Sequence, residues 1–295
     1  MPGWTHGYAT MTDANHGIDV LRKVMRIPHA AFGVVFILLT VLVAIFAPLI
    51  VPVGPEEMDF DNLLSDISSA HLLGSDQLGR DTLARLIYGA RIALIVSVGA
   101  IGLGVLIGVP LGLIGVYFRG FVDDIIMRAM DALVVFPSLL IAVGLAAALG
   151  GSLTTVIVAI GIANVPWMAR VVRSQGLSIR EQDYVAAALA GGMSHTRIIF
   201  KHILPNSVAP VIVQSTLSMG YAVLTEAALG FIGVGIQPPT PTWGNMLQQA
   251  FPMLEQQALL SIVPGVAIFL LVLAFNFVGD ALRDVLDPRL KGVIH

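Results

Sequence analysis

Apolar residues gather into six runs of membrane length, separated by shorter polar stretches. The runs cover about His29–Val53, Ile92–Phe118, Met130–Leu149, Leu153–Val172, Ser207–Leu229 and Ala258–Val278. Each approaches the ~20 residues that a helix needs to cross a bilayer. The pattern therefore predicts an all-α polytopic membrane protein with six transmembrane helices. Pro137 predicts a kink in the third run and Pro264 one in the sixth, while Asn164 and Pro166 interrupt the fourth. The second run is Gly-rich. Gly104, Gly108 and Gly112 are four apart, so they share one helix face and allow another backbone to approach closely.

The polar stretches define the organisation. Residues 1–28 are mixed and polar without a strong period and read as a tail. Residues 29–279 form the membrane domain, and 280–295 form a second, charged and amphipathic tail. Arg119, Asp123, Asp124 and Arg128 suggest a short polar hairpin. The segment from Glu56 to Arg85 is acidic and contains His71, Asp76 and Asp81. These three invite a metal-ligand reading, but Gly74 and Gly79 favour a turn-rich loop. Residues 230–257 form a further loop, in which prolines exclude regular helix near Gly235–Gly244 and Trp243 suits an interface or a packed re-entrant turn.

The stretch from Asp183 to Asn206 is too polar to cross a membrane. Ala186, Ala187, Ala188 and Ala190 favour a short helix, and Gly191–Gly192 breaks it. Ile198, Ile199, Ile203 and Leu204 then form an apolar stripe beside a basic face of His195, Arg197, Lys201 and His202, up to Pro205. Two short helices lying at the membrane surface are expected.

Composition narrows the function. Of the 295 residues 56% are hydrophobic and 12% charged, against about 25% charged in soluble domains. No cysteine is present, which excludes disulfides and thiolate metal sites. No basic excess points to nucleic acid. The sequence has no GxxxxGK[ST] phosphate loop, HExxH helix or Ser/His/Asp constellation. Neither ATP hydrolysis nor intramembrane catalysis is expected of this chain. Polar groups inside the runs are few; Asn164 and Glu226 are the candidates to line a path. The simpler account of Asn164 is a hydrogen bond to a neighbouring helix, and Glu226, near the end of its run, suits a solvated interface. Six spans put both termini on one side. Thirteen of the 16 basic residues fall on that side, with only Arg80, Arg85 and Arg91 opposite. The positive-inside rule then makes the termini and the Asp183–Asn206 stretch cytoplasmic.

Asp183–Asn206 also resembles the EAA loop of importer-type ABC permeases. Ala186-Ala187-Ala188 stands for Glu-Ala-Ala, Gly192 for the loop glycine and Leu204-Pro205 for its end; Ala186 replaces the family's Glu. HLLGSDQLGRDTLARLIYGARIAL, AALGFIGVGIQPPTPTWGNML and LAFNFVGDALRDVLDPRL look like the C-type permease subunit of dipeptide, oligopeptide and nickel importers, and the likeness covers about Pro28 to Gly292. It implies a bacterial inner-membrane subunit that forms a translocation path with a B-type permease and receives substrate from an extracytoplasmic substrate-binding protein. Two separate ATPase subunits would hold ATP and Mg, with no cofactor on this chain. Asp183, Tyr184, Ala186, Ala187, Ala188, Gly192, Arg197, Leu204 and Pro205 would form the coupling loop that meets an ATPase. Peptides are the first substrate class; nickel or another small solute is the alternative. An ion-coupled secondary transporter is the competing class.

Overall fold

The computed structural model describes residues 14–286. Among them the regular elements are helices: α1 (Ala14–Met25), α2 (Pro28–Ile45), α3 (Ala47–Ile50), α4 (Thr82–Phe118), α5 (Gly120–Val135), α6 (Ser138–Leu149), α7 (Leu153–Arg180), α8 (Asp183–Ala190), α9 (His195–Ile198), α10 (Leu204–Ile232), α11 (Trp243–Ala250) and α12 (Leu259–Leu286). A helix satisfies its own backbone hydrogen bonds, which hydrocarbon cannot do. Among the described residues α2, α4, α7, the run His195–Ile232 and α12 are long and apolar enough to cross a bilayer.

The expected third span is different. Helices α5 and α6 meet at an 84° bend, so this stretch is a sharply bent helix pair rather than a kinked helix. Proline is the cause. Phe136, ahead of Pro137, is held in extended backbone, and Pro137 itself takes the position before α6. The polar hairpin expected around Asp123 and Arg128 is instead the first half of α5, which starts directly after α4.

Other boundaries move outward. Helix α4 begins at Thr82, where the Asp81 carboxylate accepts a hydrogen bond from the Ala84 amide at 2.7 Å. Its 37 residues give a rod of about 55 Å, longer than the ~30 Å hydrocarbon core. Pro166 does not interrupt α7, and Pro264 sits inside a continuous α12; packed neighbours make such prolines tolerable. The tail read as lacking periodicity carries α1, whose Val24 joins Ala30 and Ala281 in a small buried cluster. The signal is short, essentially Val20, Val24 and Ile27, and it becomes legible only against α12. The boundary drawn at 280 lies within α12, and Arg289 and Lys291 lie outside the described residues.

The core is the pairing of α4 with α7. A Cβ on Gly108 would lie 2.6 Å from Met168 Cβ and 2.7 Å from the Val165 carbonyl, and one on Gly112 would lie 2.6 Å from the Ala169 carbonyl. Gly104 faces Asn164 and Gly161 in the same way. The neighbour of this glycine face is thus in the same chain. Val96, Ala100, Ile101, Val156, Ala159 and Ile160 continue the contact, and Ala222 and Leu229 of α10 close over it. A second cluster joins α4, α10, α11 and α12 through Ala93, Val223, Trp243, Leu271 and Phe275.

At the end of the bundle where α4 begins, residues 51–81 fold into turns. His71 Nδ1 lies 3.0 Å from Asp81 Oδ1, while Asp76 receives Arg80 Nε at 2.7 Å and the Leu78 amide at 2.9 Å. Of the three residues weighed as metal ligands, His71 and Asp81 thus pair with each other while Asp76 serves Arg80. Arg80 also donates to Gln249 Oε1 at 2.7 Å, which ties the turns to α11. The loop expected over 230–257 contains a regular helix, α11, opened by a Thr242–Asn245 capping box. Trp243 is buried and donates to the Leu86 carbonyl at 2.9 Å, which makes it a packed residue.

Candidate functional site

Helix α7 ends at Arg180, and the Arg180 guanidinium donates to the Val116 carbonyl at 2.7 Å. That carbonyl belongs to the last turn of α4, where backbone acceptors lack helical donors. Two long helices are thus fixed to one another just where the polar segment leaves them. Helix α8 follows, with Asp183 in its first turn, where a negative charge suits the positive end of the helix. Val185 is fully buried and joins Val116, Ile179, Ile198 and Ile203 in a cluster of their own, with Tyr184 and Leu189 packed against it. The inner face of the loop is therefore held by the bundle.

The reversal follows from the two glycines. The Gly191 amide donates to the Ala187 carbonyl at 2.9 Å, and the Met193 amide reaches back to the Ala188 carbonyl at 3.0 Å. Gly192 has a φ of +80°, the left-handed region that costs glycine nothing and other residues dearly. Helix α9 then starts after Ser194 and passes through a π-helical turn, Ile199–Ile203, into α10. Pro205 was expected to end this helix. Instead it stands in the first turn of α10, and the wider turn ahead of it carries the backbone past the missing N–H. The loop and α10 form one run, His195–Ile232.

The predicted residues divide by face. Asp183, Ala186, Ala187, Gly192 and Arg197 are exposed; Tyr184, Ala188, Leu204 and Pro205 are half-buried. The exposed face is shallow and built of small side chains beside His195, Arg197 and Lys201, also exposed. It carries no side-chain carboxylate at Ala186.

The two residues proposed for a path lie elsewhere. Asn164 is buried, with its Cβ packed against Gly104 of α4, and its amide donates to the Ile160 carbonyl of its own helix at 2.9 Å. Glu226 is 1% exposed rather than solvated, and its Oε1 has no hydrogen-bond partner among the described residues. The physical reason is α11, which folds back over the last turns of α10. A Cβ on Gly244 would lie 2.5 Å from the Ala227 carbonyl.

Residues 100–292 match the family model of binding-protein-dependent transport system inner membrane components. The chain belongs to this family. Residues 17–66 of the permease match the N-terminal transmembrane domain of oligopeptide transport permease C. It is 45% identical over 273 residues to a dipeptide transport system permease protein of Alkalihalophilus pseudofirmus, covering 92% of this chain and 90% of the relative. It is 43% identical to a di/tripeptide transport system permease protein of Pseudomonas aeruginosa, over 88% of each. It is 40% identical to a glutathione transport system permease protein of Pectobacterium atrosepticum, over 92% of this chain and 90% of that one. The permease is thus an all-α, multi-pass inner-membrane subunit of an ABC importer.

Two features of the permease had no sequence signal. Arg173 of α7 grips Asp123 of α5 through Nε–Oδ1 at 2.6 Å and Nη2–Oδ2 at 2.5 Å, across 50 residues of chain. Ser138 Oγ and Tyr221 Oη are 2.8 Å apart, 83 residues apart in sequence. Neither pair follows from helical spacing, since each joins two helices whose relative rotation is set by the α4–α7 packing.

Proposed function

We propose that this permease subunit serves an ATP-driven importer of di- or oligopeptides. It forms the translocation path with a second, different permease of the B type and takes substrate from an extracytoplasmic binding protein. Two separate ATPase subunits bind ATP and Mg and supply the energy. The observation that carries this reading is the α8–α9 loop, exposed on one face and anchored on the other. It is continuous through a π turn with α10 and tied through Arg180 to α4. A displacement of the exposed face is therefore passed to three long helices rather than absorbed by a slack linker. The peptide assignment is supported by the dipeptide and di/tripeptide relatives; the glutathione permease transports a tripeptide-sized solute of related chemistry. The basic-residue distribution supports placing the termini and the loop in the cytoplasm.

The test is Gly192→Leu in the assembled importer. Leucine at φ +80° strains the reversal, although its Cβ would meet no neighbour within 4 Å. ATP-driven dipeptide uptake and co-purification of the ATPases should fall, with the amount of membrane-inserted permease unchanged. Normal uptake at normal protein levels would overturn the coupling role.

A further inference from the structure

Polar side chains at membrane depth are costly where they face lipid, and they persist where water or protein satisfies them. With Asn164 and Glu226 sealed inside the bundle, the polar groups that remain open at this depth identify where water stands. Two bridges stand open in this way, and both involve the bent pair α5–α6: one lies at the bend, and the other lies towards the cytoplasmic end, where Arg170 was counted. Asp131 of α5 accepts from Arg170 Nη2 of α7 at 2.6 Å, with the two side chains 64% and 34% exposed. Ser138, at the bend, meets Tyr221 of α10, which is 45% exposed. Trp167, one turn before Arg170, is 47% exposed and lies 5.9 Å beneath the Arg170 guanidinium.

We infer that the Asp131–Arg170 and Ser138–Tyr221 bridges line the water-filled translocation path and that the hydroxyl pair offers hydrogen bonds to the main chain of a passing peptide. The inference rests on the importer reading above. Two hydroxyls that share one hydrogen bond retain one O–H and several lone pairs. In lipid these would stay unfilled, whereas a peptide amide presents both a donor and an acceptor. Uncharged hydroxyls beside an aromatic face suit a solute whose side chains vary and whose backbone does not. Position along the helix agrees. Tyr221 lies 17 residues after Leu204 and 11 before Ile232, or about 25 Å and 17 Å from the two ends of α10. A wall on one side only also explains why this chain needs a second permease to close the path.

Cysteine labelling tests this directly, because the natural chain contains no cysteine. Ser138→Cys and Tyr221→Cys are compared with Leu38→Cys and Leu106→Cys, two exposed apolar positions on α2 and α4. Each variant is assembled with its partner subunits in proteoliposomes. Modification of this chain by a charged, membrane-impermeant methanethiosulfonate is then followed by mass. Positions 138 and 221 should react at least about tenfold faster than 38 and 106, since a thiol in hydrocarbon stays unionised and out of reach. Reaction at 138 and 221 no faster than at the apolar positions, as expected for a face covered by lipid or by the second permease, would overturn the inference. Labelling needs no ATP coupling, so this outcome is separable from failure of the importer reading. Tyr221→Phe gives a second readout: a raised KM for dipeptide uptake at normal assembly is expected, and an unchanged KM would remove the hydrogen-bonding role.

Discussion

Asp123 accepts both hydrogen bonds of the Arg173 guanidinium edge, and its carboxylate also lies against Gly115, where a Cβ would come within 2.7 Å of Oδ1. One ion pair thus joins α5 to α7 beside the last turns of α4. Arg173→Lys retains charge but loses the planar two-point grip. A loss of about 1 to 2 kcal/mol is expected once solvent screening of the half-exposed arginine is allowed for. Thermal unfolding in detergent checks this. Asp123→Asn should cost at least as much, and equal stability of both variants with the native chain would show the pair to be incidental.

The glycine face gives a sharper contrast. Gly108→Val places new atoms against the Val165 carbonyl and the Ala169 amide, which cannot yield as a side chain can. The α4–α7 pair should loosen, with a cost of about 1 to 3 kcal/mol or more. Gly102 is on the same helix but meets nothing within 4 Å. Gly102→Ala should be neutral or stabilising by roughly 0.5 to 1 kcal/mol. Fluorescence-detected size exclusion after heating compares the two, and similar losses in both would refute the packing account.

Glu226 distinguishes the transporter classes. An ion-coupled carrier needs a carboxylate that exchanges ions or protons with water. Glu226 is sealed beneath α11, with one oxygen unpartnered among the described residues. Glu226→Gln keeps the shape and removes the charge, so ATP-driven uptake should persist at a near-native rate and stability should hold or rise. Uptake in vesicles, with an ion gradient and with ATP, decides; abolished transport in a well-folded Gln variant would revive the ion-coupled reading.

Topology is checked by reporter fusions. Fusions after Asp66 and after Gln248 should report the extracytoplasmic side, and one after His195 the cytoplasm. The turns holding Asp66 are joined to α11 and to the segment after it, since Arg80 donates to Gln249 Oε1 at 2.7 Å and Gln257 Nε2 donates to Asp66 Oδ1 at 3.0 Å. Opposite signals from the Asp66 and Gln248 fusions would contradict both the charge distribution and these contacts.

The sequence by itself determined that the chain lives in a membrane and that its spans are helical; it also set Asp183–Asn206 apart as polar, but the second half of that stretch proved continuous with α10 in the run His195–Ile232. Those conclusions depend on local hydropathy and on backbone groups that hydrocarbon cannot satisfy, and both are properties of short windows. The reversal at Gly191–Gly192 was legible for the same reason. Tertiary structure decided the remainder. Pro137 looked like a kink and is a sharp break, while Pro166 looked like an interruption and lies in an unbroken helix. The difference lies in the packed neighbours, which a window of residues does not contain. Helical spacing revealed that Gly104, Gly108 and Gly112 share a face, but only the fold identified α7 as their neighbour. Asn164 and Glu226 were singled out for being polar within apolar runs, yet rotation of α7 and coverage by α11 place both inside the protein. Ser138 and Tyr221 carry little signal in sequence, because a hydroxyl costs little in any window; their pairing exists only once the helices are packed.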